Sequence, residues 1–252
     1  MKVRIKFAKT GPLQYVGHLD MLRSFQKIFK RAEVDIGYSQ GFNPHQLTSF
    51  ASPLGIGVTS EGEYLDADFN TIDDERIMID RLNASMGSRF LRIVDFRVLP
   101  DDEKKAMSLV AACSYKVTLR DEVDSAKFTA MGDALESFLN QDEIRVLKKT
   151  KKSVKEMDIR PYIYKLEFGV IPFHNEADEI ADNVLYGVSL PDTYDTPTFS
   201  MLLASGSETN IKPDLVLDEL AKYANVSLEP VDIAIHRIDM FKRNDNDELI
   251  SL

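Results

Sequence analysis

The sequence predicts an α+β fold made of two tandem ferredoxin-like (β-α-β-β-α-β) domains, the second decorated with extra strands. Three observations carry that prediction. Over residues 1–100 the apolar spacing switches from two to three-and-four and back, in the order strand, helix, strand, strand, helix, strand. A charged, turn-prone stretch, Pro100-Asp-Asp-Glu-Lys-Lys105, then interrupts the pattern. From Ser114 the order starts again. The expected domains are therefore 1–100 and 108–243, meeting near Pro100–Met107.

Residues 2–9 alternate charge and apolarity as a strand does. From Leu19 to Ala32, Leu19, Leu22, Phe25, Phe29 and Ala32 form one buried helix stripe, with Arg23, Lys27 and Arg31 on the opposite side. Extended segments follow at 46–51 and 63–69. Thr71-Ile-Asp-Asp74 reads as a variant capping box for a helix reaching Met86, and 90–99 closes the first domain as a strand. In the second half, strands at 114–120, 144–149 and 162–170 surround a helix at 125–139 and a basic segment. Strand-like runs at 183–190 and 199–204 are followed by a helix from Pro213 to Tyr223, then a strand at 231–241. The polar tail after Lys242 is expected to fray.

At 252 residues, with 44% hydrophobic and 29% charged residues, the chain has ample material for a globular core. No apolar run approaches the length of a membrane span, and Met1-Lys-Val-Arg-Ile-Lys-Phe7 lacks the apolar centre of a signal peptide. The single cysteine, Cys113, excludes an internal disulfide and a self-contained iron–sulfur cluster, so a cytoplasmic location is expected. The net charge of -10 is unevenly spread. Residues 1–60 hold eight Lys/Arg against three acids, and 144–155 hold six bases and no acid. The rest carries 17 bases against 38 acids, so a basic face on an acidic body is expected to meet a polyanion. A solvated hairpin tip and an ordinary helix face would produce the same counts.

Polar and turn chemistry is densest between Tyr15 and Tyr64. His18 stands at the start of the first helix with Asp20 two residues on, placed for general acid/base work or merely for capping. His45 follows the turn-forming Asn43-Pro44, and Gln40 and Tyr15 complete a set expected to converge on one cleft. His18, His45 and Asp20 are the catalytic candidates. Their spacing matches no dedicated metal motif, and no phosphate loop, dinucleotide fingerprint or nucleophile elbow occurs, so neither metal nor cofactor is expected. Arg23, Lys27, Arg31, Lys149, Lys151, Lys152 and Arg160 are the candidate phosphate contacts, with Tyr15, Tyr38, Phe42 and Phe50 available to stack bases or to fill a core.

The segments Tyr15-Val-Gly-His-Leu-Asp20, Tyr38-Ser-Gln-Gly-Phe-Asn-Pro-His45, Phe50-Ala-Ser-Pro-Leu-Gly55 and Glu61-Gly-Glu-Tyr-Leu-Asp66 resemble the radical SAM-associated (radical SAM-linked) protein family, a domain of unknown function. Asp158-Ile-Arg-Pro161 and Ile235-His-Arg237 extend the likeness along the chain. The resemblance implies a bacterial partner of a radical SAM enzyme on a separate chain, and brings no established reaction. The tandem architecture is also similar to the repeat-associated RNA-processing proteins of CRISPR systems, but their C-terminal glycine-rich loop is missing here.

The expected function is an accessory module that binds RNA, tRNA or rRNA, and presents it to the radical SAM enzyme. The alternatives are a metal-independent RNA endonuclease or RNA-modifying enzyme using His18 and His45, and a protein-binding adaptor.

Overall fold

The computed structural model describes residues 1–120, 123–149, 154–172, 195–206 and 209–252. The protein is α+β, with six α-helices among the described residues, and its contacts divide it into two compact units. Among the described residues, the first holds Met1–Ala111 and Arg237–Leu252, and the second holds those between 112 and 236.

In the first unit, β1 (Lys2–Lys9) pairs antiparallel with both β3 (Val58–Asp68) and β4 (Leu91–Val98). The short β2 (Thr48–Phe50) pairs with β3. Helices α1 (His18–Arg31) and α2 (Glu75–Ala84) supply the crossovers. One face of the strands buries Val3, Ile5, Phe7, Leu65, Ala67, Ile93 and Phe96 against Phe25, Ile28 and Phe29 of α1 and Met78 and Leu82 of α2. Edge-to-face ring pairs run through this core, with Phe7 and Phe25 at 4.8 Å and Phe69 and Phe96 at 5.6 Å.

Helix α1 rotates away from the expected stripe. Leu19 is 66% exposed, while Met21, Phe25, Ile28 and Phe29 face the core. Asp74, rather than Thr71, caps α2 by accepting from the Arg76 N–H at 3.0 Å. Thr71 instead donates to Asp35, whose carboxyl is held below its ordinary range by hydrogen bonds from Asn70 and Thr71. The 101–105 stretch is anchored: Lys2 Nζ donates to the Asp101 carbonyl at 2.7 Å, and Arg4 Nη2 to the Lys104 carbonyl at 3.0 Å. A short helix, α3 (Ala106–Leu109), follows.

The C-terminal segment also departs from expectation. Asn244 folds its side chain onto the N–H groups of Asn246 and Glu248, and Asp247 takes the left-handed conformation at φ 64°. That turn returns the chain, so that Leu249–Ser251 pairs with Phe241–Arg243 and Leu252 is buried. The tail does not fray, because an apolar anchor follows a well-formed turn.

The second unit contains β5 (Ala112–Leu119), which pairs with β9 (Asp195–Ala204), which in turn pairs with β8 (Ile163–Pro172). The expected 125–139 helix is two, α4 (Ala126–Asp133) and α5 (Leu135–Leu139). Gly132 of α4 lies where a Cβ would come within 2.7 Å of the Phe168 ring, so close packing on β8 requires glycine. A separate hairpin, β6 (Arg145–Lys149) with β7 (Val154–Asp158), carries the basic segment. Helix α6 (Pro213–Tyr223) buries Val216, Leu217 and Leu220. Strand β10 (Ile233–Arg243) supplies its first four residues to this unit and the rest to the first. The strand-like run expected at 183–190 lies outside the described residues.

Candidate functional site

Helix α1 follows a 3-10 turn at Gly11–Tyr15, and Tyr15 is exposed. Burial of Met21, Phe25, Ile28 and Phe29 forces Asp20, Arg23, Lys27, Lys30 and Arg31 to the exposed side. Arg23 pairs with Asp20 at 3.1 Å. The side chains of Lys27, Lys30 and Arg31 make no hydrogen bond or ion pair among the described residues. Asp20 therefore serves Arg23 and does not orient His18, which stacks edge-on to Phe50 with ring centres 5.0 Å apart.

The Tyr38–Gln46 segment is a clasped loop. The Ser39 N–H donates to the His45 carbonyl at 2.8 Å, and the His45 N–H donates to Ser39 Oγ at 3.0 Å. Ser39 Oγ also sits 2.8 Å from His45 Nδ1. The clasp holds out a tip in which Gln40, Gly41, Phe42, Asn43 and Pro44 are all exposed, Phe42 fully so. Gly41, at φ 115°, supplies a conformation that side-chain-bearing residues rarely adopt. The buried Gln46 ties the loop to α1, its Nε2 donating to the Gln26 carbonyl at 3.4 Å and the Tyr38 hydroxyl at 3.3 Å.

Beneath this surface lies a charged interior. Arg237 grips Glu63 with two bonds of 2.7 Å, and Nη2 also donates to the Ser52 carbonyl at 3.0 Å. Both side chains are buried. The neighbouring Lys9 is buried and donates to the Val16 carbonyl at 2.9 Å. Burial pushes its ammonium below the ordinary 10.5, with attraction to Glu63 opposing and repulsion from Arg237 assisting. Lys9 and Glu63 line a cavity of about 20 Å³ together with Phe7, Met21, Phe50 and His18. That is room for about one water. The signal was present in the alternation: Lys9 continues the inward Val3, Ile5, Phe7 series, and Glu63 begins the inward Leu65, Ala67, Phe69 series.

His45 belongs elsewhere. It lines a cavity of about 210 Å³ with Gln46, Thr48, Ser49 and Asp68 on one side and Leu99, Lys104 and Lys105 on the other. The expected single cleft is thus corrected: the two imidazoles line different cavities, because His18 opens α1 and leans on Phe50 while His45 is clasped by Ser39 in the loop beyond the far end of that helix. Among the described residues no group of three His, Cys, Asp or Glu is placed to hold a metal ion.

In the second unit, Lys151 and Lys152 and the side chain of Lys149 lie outside the described residues. Arg160 is engaged structurally, its Nε donating to the Leu139 carbonyl at the end of α5 at 2.9 Å. Its N–H donates to Asp158 Oδ1 at 3.0 Å.

These features define an α+β protein with unpaired cations and projecting aromatics above an interior that buries Lys9, Glu63 and Arg237, and no helix among the described residues is long and apolar enough to cross a membrane. Residues 2–213 match the family described as an uncharacterized protein conserved in bacteria (DUF2344), and the chain belongs to that family. No curated protein matches it.

Proposed function

We propose that the protein is a cytoplasmic, accessory RNA-binding module that presents its RNA, a tRNA or rRNA, to a radical SAM enzyme on a separate chain. In this reading each half is a ferredoxin-like domain, supported in the first unit by two helices crossing strands paired in the order β4-β1-β3-β2. The observation that carries the function is the unpaired Lys27, Lys30 and Arg31 face of α1, together with the exposed Tyr38 and Phe42 of the loop that Gln46 ties to that helix. Cations free of carboxylate partners are available to phosphates, and projecting rings offer stacking surfaces to unpaired bases. A joint acid/base role for His18 and His45 is not part of the proposal, since they line different cavities.

The test is RNA binding by fluorescence anisotropy as a function of salt. Replacing Lys27, Lys30 and Arg31 with alanine is expected to reduce the salt-dependence slope by about 2, at about 0.7 per single-strand phosphate contact. Phe42→Ala should weaken binding by about 1–3 kcal/mol, with an unchanged slope. Absence of binding to cellular RNA at low salt, with the radical SAM enzyme present, would instead favour the adaptor reading.

A further inference from the structure

The larger cavity of the first unit has a chemistry of its own. Of the three carboxylates lining it, two are neutralised within the fold. Asp66 accepts from Arg4 at 2.8 and 3.2 Å and from the Ala106 N–H at 2.6 Å, and Glu103 pairs with Lys242 at 3.1 Å. The third, Asp68, makes no side-chain hydrogen bond or ion pair among the described residues. Its backbone is nevertheless fixed, with N–H to the Leu47 carbonyl at 3.0 Å and carbonyl to the Gly37 N–H at 2.6 Å. Lys104 and Lys105 repeat the pattern. Their ammonium groups have no partner among the described residues, while Arg4 and Asp66 anchor the backbone on either side. The half-buried Leu47 and Leu99 also line the cavity.

We propose that this cavity is a nucleotide subsite selective for guanine, with Asp68 reading the base and Lys104 and Lys105 holding the phosphate. A carboxylate offers two acceptor oxygens and no donor. Guanine alone among the four RNA bases presents adjacent ring N–H and exocyclic amino donors, which match those oxygens in parallel. Uracil offers one N–H, flanked by carbonyls that Asp68 repels. The apolar Leu47 and Leu99 suit the base plane, and two lysines beside one another suit a phosphate dianion. The volume of about 210 Å³ suits one small ligand, being below the 300–1,000 Å³ usual for drug-sized molecules. The proposal deepens the RNA-binding reading by naming the unit of RNA that is read.

The experiment titrates the full chain with GMP, guanosine, UMP, inorganic phosphate and free arginine by calorimetry. GMP is expected to bind at least about tenfold more tightly than UMP, in line with one bidentate base contact. Asp68→Asn should remove the preference for GMP over UMP at an unchanged melting temperature. Lys104→Ala with Lys105→Ala should weaken GMP and UMP equally and leave guanosine unaffected. Should Asp68→Asn fail to fold, the lysine variant with guanosine decides alone. Equal binding of GMP and UMP, equal binding of free arginine, no binding at millimolar GMP, or a preference surviving Asp68→Asn would overturn the assignment. GMP selectivity without RNA binding sinks the RNA reading and leaves the subsite standing; RNA binding without GMP selectivity does the reverse.

Discussion

Two ion pairs of the first unit, Glu63–Arg237 and Asp20–Arg23, show what burial does to the same chemistry. The first is 2.7 Å long between side chains each 4% exposed; the second is 3.1 Å long between side chains 70% and 65% exposed. Taking Glu63 and Arg237 out of water costs several kcal/mol per ion, which roughly two-fold parallel bonding and the extra Ser52 carbonyl offset. Both groups are thereby held in one geometry by each other. Asp20 and Arg23 lose almost no hydration, gain little from each other, and remain open to exchange partners. Charge inside this unit therefore maintains the fold, and charge on α1 is available for recognition.

The strongest way to break the comparison is Glu63→Ala. It leaves a buried guanidinium without its carboxylate and should cost about 3–5 kcal/mol of stability. Urea denaturation reads the loss, and the double variant Glu63→Leu with Arg237→Met should regain most of it. A single-variant loss below about 1 kcal/mol would mean that water reaches the pair.

Lys9 supplies the pH dependence. Its folded-state value is depressed by burial, so between that value and 10.5 the unfolded chain binds more protons than the folded one. Stability then rises with pH through that window, as the folded state releases the proton first and the cost of burying charge is relieved. Lys9→Met removes this contribution. Wild type should gain stability relative to the variant as the pH rises from 7 toward 10.5. A pH-independent difference between the two denaturation curves would refute the assignment.

The same contrast explains what could be read from the sequence. The β-α-β-β-α-β order of the first hundred residues was legible, because alternation and helical spacing are local properties. The face of α1 was not. Two apolar stripes share Phe25 and Phe29, and only packing against the strands selects Met21 and Ile28 over Leu19. The Glu63–Arg237 pair joins residues 174 apart, so local spacing contains no record of it. The C-terminal return was hidden by polarity, although Asn244 and Asp247 are turn residues with Leu252 beyond them to be buried. Within the candidate site, the exposed cations of α1 were legible. The separation of His18 from His45 was not, since it depends on tertiary contacts, His18 against Phe50 and His45 against Ser39.

The smallest expected effect sharpens the comparison most. Arg23→Ala deletes an exposed pair one helical turn long, worth at most about 0.5 kcal/mol, and its stability change should fall within that bound. Asp20→Asn should be equally mild in denaturation, because neither side chain contributes to the core. The two variants separate in binding. If α1 meets phosphates, Arg23→Ala removes a cation and should lower RNA affinity, whereas Asp20→Asn frees Arg23 and removes a repulsive charge, and should raise it. Both changes should shrink as salt rises, since screening weakens exposed charges more than buried ones. Parallel anisotropy titrations at low and high salt measure this directly. Equal affinities for the two variants at low salt would remove Arg23 from the interface and confine recognition to Lys27, Lys30 and Arg31.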